Sequence, residues 1–144
     1  MKTVQDILAR KGTEVWSASP DTTVLEALEQ LAERNIGALV VLDGGKLVGI
    51  FSERDYARRV ALRGRSSRDT PLRDVLTGRV LCVGTDRTVD ECMALMSDKH
   101  IRHLPVVDAR GQVVGLVSIG DVVGAVIWGQ SFLIDQLEHY ISGT

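Results

Sequence analysis

Aromatic side chains are scarce in this sequence, since Phe, Trp and Tyr together make up 4% of its 144 residues. The core must therefore be aliphatic, and few rings are left on which nucleic-acid bases could stack. Cysteine is scarce too, because only Cys82 and Cys92 are present. Two cysteines in apolar surroundings form no disulfide framework, so we expect both to be reduced, buried thiols.

Long apolar runs are also missing. The stretch DVVGAVIW, residues 121–128, has eight residues, whereas about 20 are needed to span a bilayer. The opening MKTVQDILARKG lacks the apolar stretch of a signal peptide. We therefore expect a cytoplasmic protein without a membrane segment.

A strong charge of one sign is the third absence, because the formal net charge is only −2. No overall attraction to nucleic acid or to an acidic membrane follows from it. The arginines are nevertheless unevenly spread, with eight of the 13 between residues 54 and 79. This Arg54–Arg79 belt is either a solvated helix surface or a means of attracting phosphate groups.

An internal repeat is the main feature that is present. The sequence matches itself at shifts of 65, 66 and 68 residues, and so many matches in register indicate a duplication. The matched segments are 19–43 with 84–108, 48–55 with 114–121, and 3–8 with 71–76.

Each copy predicts the element order β-α-β-β-α, which defines an α/β (α+β) fold of two repeats packed with pseudo-twofold symmetry. In the first copy, a short strand at Val15–Ala18 precedes a helix that Thr23 and Glu26 open as a capping box. Two strands joined by a glycine-containing turn form an antiparallel hairpin, and a second helix begins at Glu53. One copy buries too little apolar surface alone, so we expect both to share a core. The second copy's counterparts are Val80–Val83, Thr88 with Glu91, and Ile119.

The repeats divide the chain into four segments. Thr70 and Pro71 predict a helix with Thr70 as N-cap and Pro71 at the first helical position. The apolar stripe of the last helix indicates either an interface with another chain or packing on its own domain, and both remain open. The stripe comprises Val122, Val126, Trp128, Leu133 and Leu137. The segments are repeat 1 at 1–63, a linker at 64–70, repeat 2 at 71–126 and a C-terminal helical extension at 127–144.

The motif Gly-x-x-Ser-x-x-Asp ends the hairpin in both copies, as GIFSERD at 49–55 and GLVSIGD at 115–121. Ser and Asp three residues apart at a helix start form a capping box without any ligand. An aspartate there can also accept hydrogen bonds from two vicinal ribose hydroxyls. The residues alone leave both interpretations open, and the two roles are compatible.

The repeat order, the Thr-Val-x-Glu helix start and the Gly-x-x-Ser-x-x-Asp end resemble the CBS (cystathionine β-synthase-type) domain pair, or Bateman module, over residues 3–126. Stand-alone bacterial pairs and the single-pair CBS proteins of plants are especially similar. The resemblance implies two clefts that bind adenosine-containing ligands such as AMP, ADP, ATP or NAD, and a disc-shaped homodimer. It also implies a non-catalytic, energy-sensing regulatory module that acts on an unknown partner protein.

The resemblance further implies which residues line each cleft. Asp55 and Asp121 would hold ribose, Ser52 and Ser118 would reach ribose or phosphate, and Arg102 and His103 would meet phosphates. The set for the cleft of repeat 2 is Val15, Trp16, Ile36, Gly37, Ala38, Arg102, His103, Leu116, Ser118 and Asp121. The set for the cleft of repeat 1 is Ile50, Ser52, Arg54, Asp55, Val80, Leu81, Ile101, Arg102 and His103.

The two clefts differ in sequence. Arg54 stands beside Asp55, whereas Gly120 stands beside Asp121, so each cleft has a different cationic source. We expect unequal affinities, with the Asp121 cleft slightly the better for AMP-like ligands.

No catalytic constellation is evident, so we expect no enzyme activity. Cys82, Cys92, His100 and His103 lack the close cysteine pair of structural zinc sites. GLVSIG is not the Gly-x-Ser-x-Gly elbow of hydrolases. Two alternatives to nucleotide sensing stay open: nucleic-acid binding through the Arg54–Arg79 belt, which the few aromatics disfavour, and a dimer scaffold with degenerate clefts.

Overall fold

The computed structural model describes residues 2–76 and 79–128, which form two copies of one α+β unit. The first copy consists of helix α1 (Val4–Lys11), strand β1 (Ser17–Ala18), helix α2 (Val24–Arg34), strands β2 (Ala38–Asp43) and β3 (Lys46–Ser52), and the short helix α3 (Glu53–Asp55), which continues as a π-helix at Tyr56–Ala61. The second consists of a 3₁₀ helix (Leu72–Asp74), helix α4 (Val89–Lys99), strands β4 (His103–Val107) and β5 (Val113–Ser118), and helix α5 (Ile119–Ile127).

The first helix of each predicted repeat begins where the capping boxes place it. The Thr23 hydroxyl accepts from the Glu26 backbone N–H at 3.2 Å, and the Thr88 hydroxyl accepts from that of Glu91 at 3.1 Å. Each glutamate in turn accepts from the backbone N–H of its threonine, so two terminal donors are satisfied reciprocally. Both capping-box predictions are therefore confirmed.

The strands form one three-stranded and one two-stranded sheet. β2 pairs antiparallel with β3 and parallel with β1, and β4 pairs antiparallel with β5. The prediction of a strand at Val80–Val83 is wrong for most of that segment, because only Val83 pairs, through a single parallel bridge to Val106. Val83 N–H donates to the Pro105 carbonyl and the Val83 carbonyl accepts from the Val107 N–H, which makes one bridge but no strand.

The two repeats exchange their opening segments. The apolar face of α1, formed by Val4, Ile7 and Leu8, is buried in the core of the second repeat. Leu72 and Val75, which open the second repeat, are buried in the core of the first. Most buried residues thus form two clusters, each completed by the other repeat, rather than the single shared core that the duplication predicts.

Backbone hydrogen bonds hold both exchanged segments in equivalent positions. Val4 N–H donates to the Arg87 carbonyl at 2.8 Å, and Leu72 N–H donates to the Thr22 carbonyl at 2.9 Å. Thr3 bridges Thr88, just as Pro71 bridges Thr23. The 68-residue shift seen in the sequence therefore corresponds to a real structural equivalence.

Glycine permits the exchanged segments to approach the hairpins closely. A β-carbon on Gly115 would lie 2.7 Å from Leu8 Cδ2, and one on Gly49 would lie 2.9 Å from Leu76 Cδ1. Such distances are below van der Waals contact, so the missing side chain is what lets each leucine pack on its hairpin.

Three local predictions need correction. Pro71 is the N-cap of a three-residue 3₁₀ helix that begins at Leu72, so Thr70 is not the cap, although it is buried. Pro71 has an extended backbone because it bridges Thr23, which leaves it outside the helix. Cys92 is buried as expected, but Cys82 is only half-buried because its segment lies beside the sheet rather than in it.

The apolar stripe of the last helix is divided between core and surface. Val122 is buried, whereas Val126 is exposed. Trp128 packs on its own chain, with Lys2 Nζ 5.2 Å and Arg10 Cζ 4.5 Å from its ring centroid. Leu133 and Leu137 lie outside the described residues. Within 2–76 and 79–128, no helix is long and apolar enough to cross a membrane.

Candidate functional site

A cleft of about 950 Å³ lies between the two repeats. The end of β3 and the start of α3 form one side, and the loop before β4, together with residues 79–81, forms the other. All nine residues assigned from the sequence to the cleft of repeat 1 line it. The lining residues are Gly37, Ile50, Ser52, Glu53, Arg54, Asp55, Arg58, Arg59, Arg79, Val80, Leu81, Lys99, His100, Ile101, Arg102 and His103.

Alternation along β3 explains why its last residues face this cleft together. Ile50 and Ser52 are two positions apart and therefore share a face of the strand. Asp55 follows within the first helical turn, and its carboxylate bonds back to the strand end. The sequence motif thus places one apolar, one hydroxyl and one carboxylate side chain at one edge of the cleft.

Asp55 completes a capping box. Its Oδ2 accepts from the backbone N–H and from the hydroxyl of Ser52, each at 2.9 Å, and the Ser52 hydroxyl accepts from the Asp55 N–H at 3.1 Å. Its Oδ1 has a longer contact, 3.8 Å from Arg59 Nε, while Arg59 Nη1 donates to the Val75 carbonyl. Capping uses one carboxylate oxygen, which leaves the other with acceptor capacity.

Positive charge dominates the wall of this cleft. Six cationic side chains face two carboxylates, those of Glu53 and Asp55. A low-dielectric cleft lined by charge of one sign concentrates ligands of the opposite sign. The cations are Arg54, Arg58, Arg59, Arg79, Lys99 and Arg102. Arg54 and Arg102 were anticipated from the sequence, whereas the other four were not assigned to the site.

Asp121 has a different environment. Its Oδ2 accepts from the Ser118 backbone N–H at 2.8 Å and from Lys11 Nζ at 2.6 Å, and Lys11 also donates to the Leu116 carbonyl at 2.8 Å. Burial tends to raise the pKa of Asp121, but the hydrogen bonds from Lys11 and Ser118 lower it below its usual value. Lys11 was missed in the sequence, although the 68-residue shift that pairs 3–8 with 71–76 also pairs it with Arg79, a residue of the cleft.

His103 stands close to both aspartates. Burial is the largest cause that lowers its pKa, and the charge of Lys11 lowers it further, while Asp121 and Asp55 act in the opposite direction. A β-carbon on Gly37 would lie 3.7 Å from His103 Nε2, so a small residue at 37 leaves room for the ring. His103 therefore lines the Asp55 cleft and also interacts electrostatically with Asp121.

The remaining residues assigned to the Asp121 cleft lie in the first repeat, and several of them pack in or against its core. Trp16 and Ile36 pack against the first core cluster, and Arg34 lies 3.7 Å from the Trp16 ring centroid. Ala38 is buried at the start of β2, and Val15 is half-buried. Gly37 lines the Asp55 cleft instead. That these residues bind a ligand at Asp121, and that this cleft has the higher affinity, stay predictions.

The duplicated α+β fold and its inter-repeat cleft define a tandem-repeat module. A CBS domain model matches residues 4–62 and 72–127, which is most of the chain. The chain belongs to the CBS domain family.

Individual relatives and solved structures support the same family assignment. The chain is 38% identical, over 98% of its length and 72% of the relative's, to the mitochondrial CBS domain-containing protein CBSX3 of Arabidopsis thaliana. A solved CBS-domain protein from Burkholderia ambifaria, described as a putative signal-transduction protein, is 44% identical with a TM-score of 0.86, over 90% of this chain and 96% of that one. The CBS domain pair of protein MJ0100, solved with 5′-methylthioadenosine and S-adenosylmethionine, is 31% identical with a TM-score of 0.76, over 87% of this chain and 99% of that one.

Proposed function

We propose that this CBS pair is a regulatory module that binds an adenosine-containing ligand, AMP, ATP or NAD, in the Asp55 cleft. The observation that carries the proposal is the cleft itself, where a carboxylate with a spare oxygen adjoins six cations. The carboxylate suits the two hydroxyls of a ribose, and the cations suit phosphate. The complex of the MJ0100 CBS pair with two adenosine compounds supports the ligand class.

Nucleic-acid binding is the less favoured function. Four arginines of the Arg54–Arg79 belt line the cleft, where a small phosphate ligand can reach them. They are Arg54, Arg58, Arg59 and Arg79. A concave site shared by two repeats suits a small molecule better than an extended strand.

Replacing Asp55 tests the nucleotide site. Calorimetric titration of the full chain with AMP, ADP, ATP, NAD and S-adenosylmethionine identifies the ligand. Asp55→Ala should then weaken that ligand's binding roughly tenfold to a hundredfold, because it removes a charge-assisted hydrogen bond.

Asp6→Ala is the matched control, since Asp6 caps α1 in the same way but lies outside the Asp55 cleft. It should bind the ligand with wild-type affinity. Failure of every adenosine compound to bind the wild-type protein would refute the proposed function. Equal ligand affinity of Asp55→Ala and Asp6→Ala would show that Asp55 acts only as a helix cap.

A second copy of this chain is the partner that we propose for the exposed face of α5. Val123, Val126 and Ile127 have the i, i+3, i+4 spacing of one helix face, and all three are exposed. A twofold interface formed by this face would bury them against themselves. Sedimentation equilibrium should show a dimer that Val123→Glu dissociates. Leu62→Glu is the control, because Leu62 is also exposed but lies on the other repeat, and it should leave the dimer intact. A wild-type monomer would refute this interface.

A further inference from the structure

One salt bridge distinguishes the Asp121 cleft from the Asp55 cleft. Lys11, the last residue of α1, holds the Asp121 carboxylate at 2.6 Å and the Leu116 carbonyl at 2.8 Å. The 66-residue shift matches Leu116 with Ile50 and Asp121 with Asp55. Ile50 and Asp55 both line the Asp55 cleft. In the Asp121 cleft, Lys11 therefore contacts the counterparts of two residues that line the Asp55 cleft.

The exchange of segments is what delivers this lysine. Because α1 packs on β5 and α5 of the second repeat, its C-terminal turn ends beside Asp121. The cation that lies beside Asp55 is held less closely, since Arg59 Nε is 3.8 Å from Asp55 and its guanidinium also donates to the Val75 carbonyl. The two aspartates thus share a capping role but differ in how firmly a cation engages them.

Lys11 places an ammonium group on the carboxylate that a ribose would contact, whereas the two close donors to Asp55 Oδ2 both belong to its own cap residue, Ser52. Asp121 Oδ2 already accepts from the Ser118 N–H as a cap, and the lysine ammonium is a second donor on the same oxygen. A ligand that hydrogen-bonds to this carboxylate must therefore displace the ammonium or share the carboxylate with it.

We propose that Lys11 is the specificity-determining residue of the Asp121 cleft, acting as an internal competitor for the carboxylate so that nucleotide binds first at Asp55. This order is the reverse of the one that the sequence predicts. The inference rests on the proposed function. If Lys11 is released in about one molecule in ten, the apparent affinity of the Asp121 cleft falls about tenfold.

Titration of the full chain with AMP tests the competitor. The wild-type protein should show two classes of site, the second at least tenfold weaker than the first. In Lys11→Met the second class should tighten about tenfold, and in Lys11→Gln, which keeps a donor but loses the charge, it should tighten less. Adding Asp121→Ala to Lys11→Met should abolish the gain.

Lys46→Met is the control, because Lys46 is exposed at the hairpin turn, and it should bind AMP as the wild type does. Thermal unfolding of each variant verifies that α1 remains folded. A second class that is unchanged in Lys11→Met, or one that weakens because Lys11 contacts the phosphate, would overturn the inference while leaving the proposed function intact. Absence of AMP binding at both clefts in every variant would also overturn this inference, and the proposed function would fall with it if ADP, ATP, NAD and S-adenosylmethionine fail to bind as well.

Discussion

At the scale of single residues, the repeated Ser-x-x-Asp motif has one structural role and two different surroundings. Ser52 with Asp55, and Ser118 with Asp121, each complete a capping box. Local sequence determines this role, because cap and helix start lie within three residues of each other. The distinction between the aspartates comes from Lys11, which is 110 residues from Asp121 in sequence.

The protonation of His103 should make stability depend on pH. Burial lowers the pKa of His103 below the value of 6.5 that it has when unfolded, so the unfolded chain binds more protons below about pH 6.5. Its contribution to the free energy of unfolding is therefore complete above pH 6.5 and is lost as the pH falls through the lowered pKa. Urea unfolding at pH 7.5 and pH 5.5 should show this decrease, and His103→Gln should reduce it.

His100→Asn provides the control for that measurement. His100 ends α4 with a left-handed backbone, φ 55°, which asparagine also tolerates. The variant keeps His103 and should keep the decrease in stability toward pH 5.5. An identical pH dependence in wild type and His103→Gln would contradict the assignment. The lowered pKa of Asp121 and Glu91 acts only at more acidic pH, through and below their usual values of 3.8 and 4.5.

At the scale of helices and strands, the sequence predicts local structure well and exchanged packing poorly. The capping boxes, the hairpins and the starts of the second helices follow from residues that are neighbours in the chain. The burial of α1 against the second repeat depends on contacts such as Leu8 with Gly115, which no periodic pattern reports. The prediction of a strand at Val80–Val83 was wrong for a similar reason, since apolar residues beside a sheet have the same sequence pattern as residues within it.

The exchange predicts that each opening segment stabilises the other repeat. Ile7→Ala removes a side chain that is 1% exposed in the second core, and Leu72→Ala removes one that is 0% exposed in the first. Each should cost about 2–5 kcal/mol in the free energy of unfolding. Hydrogen exchange should increase more in β4 and β5 for Ile7→Ala, and more in β2 and β3 for Leu72→Ala.

The two variants serve as controls for each other, because they lie in the two exchanged segments and are buried in opposite cores. The opposite pattern, with each variant loosening its own repeat, would contradict the exchange. A uniform increase in both would show that the cores unfold as one cooperative unit.

At the scale of the whole molecule, the electrostatics of the Asp55 cleft should govern how salt affects binding. Six cations line the cleft of a protein whose formal net charge is −2, so the attraction is local. Raising the salt concentration from 50 to 500 mM should weaken ATP binding severalfold, since screening acts on these partly exposed charges. Adenosine is the control ligand, because it has no phosphate, and its affinity should change little. Equal salt dependence of the two ligands would show that the cations do not contact phosphate.

The assignment implied by the family resemblance placed all nine of its residues for that cleft on the cleft wall. It missed Arg58, Arg59, Arg79 and Lys99, which come from helix surfaces and a loop. Charged residues on such surfaces have the same sequence pattern whether they face solvent or a cleft. Whether these residues line the cleft depends on how the two repeats pack together.

The reciprocal burial of α1 and of the 72–75 segment also limits how the chain can be divided. A fragment ending in the linker at 64–70 would lack Leu72 and Val75 from its own core and would expose the apolar face of α1. The complementary fragment would have the converse defect. Each is therefore incomplete as an independent folding unit, and each holds the piece that the other lacks. Two severed fragments would have to reassemble to restore either core, so the boundary between the repeats in sequence is not a boundary between autonomous domains.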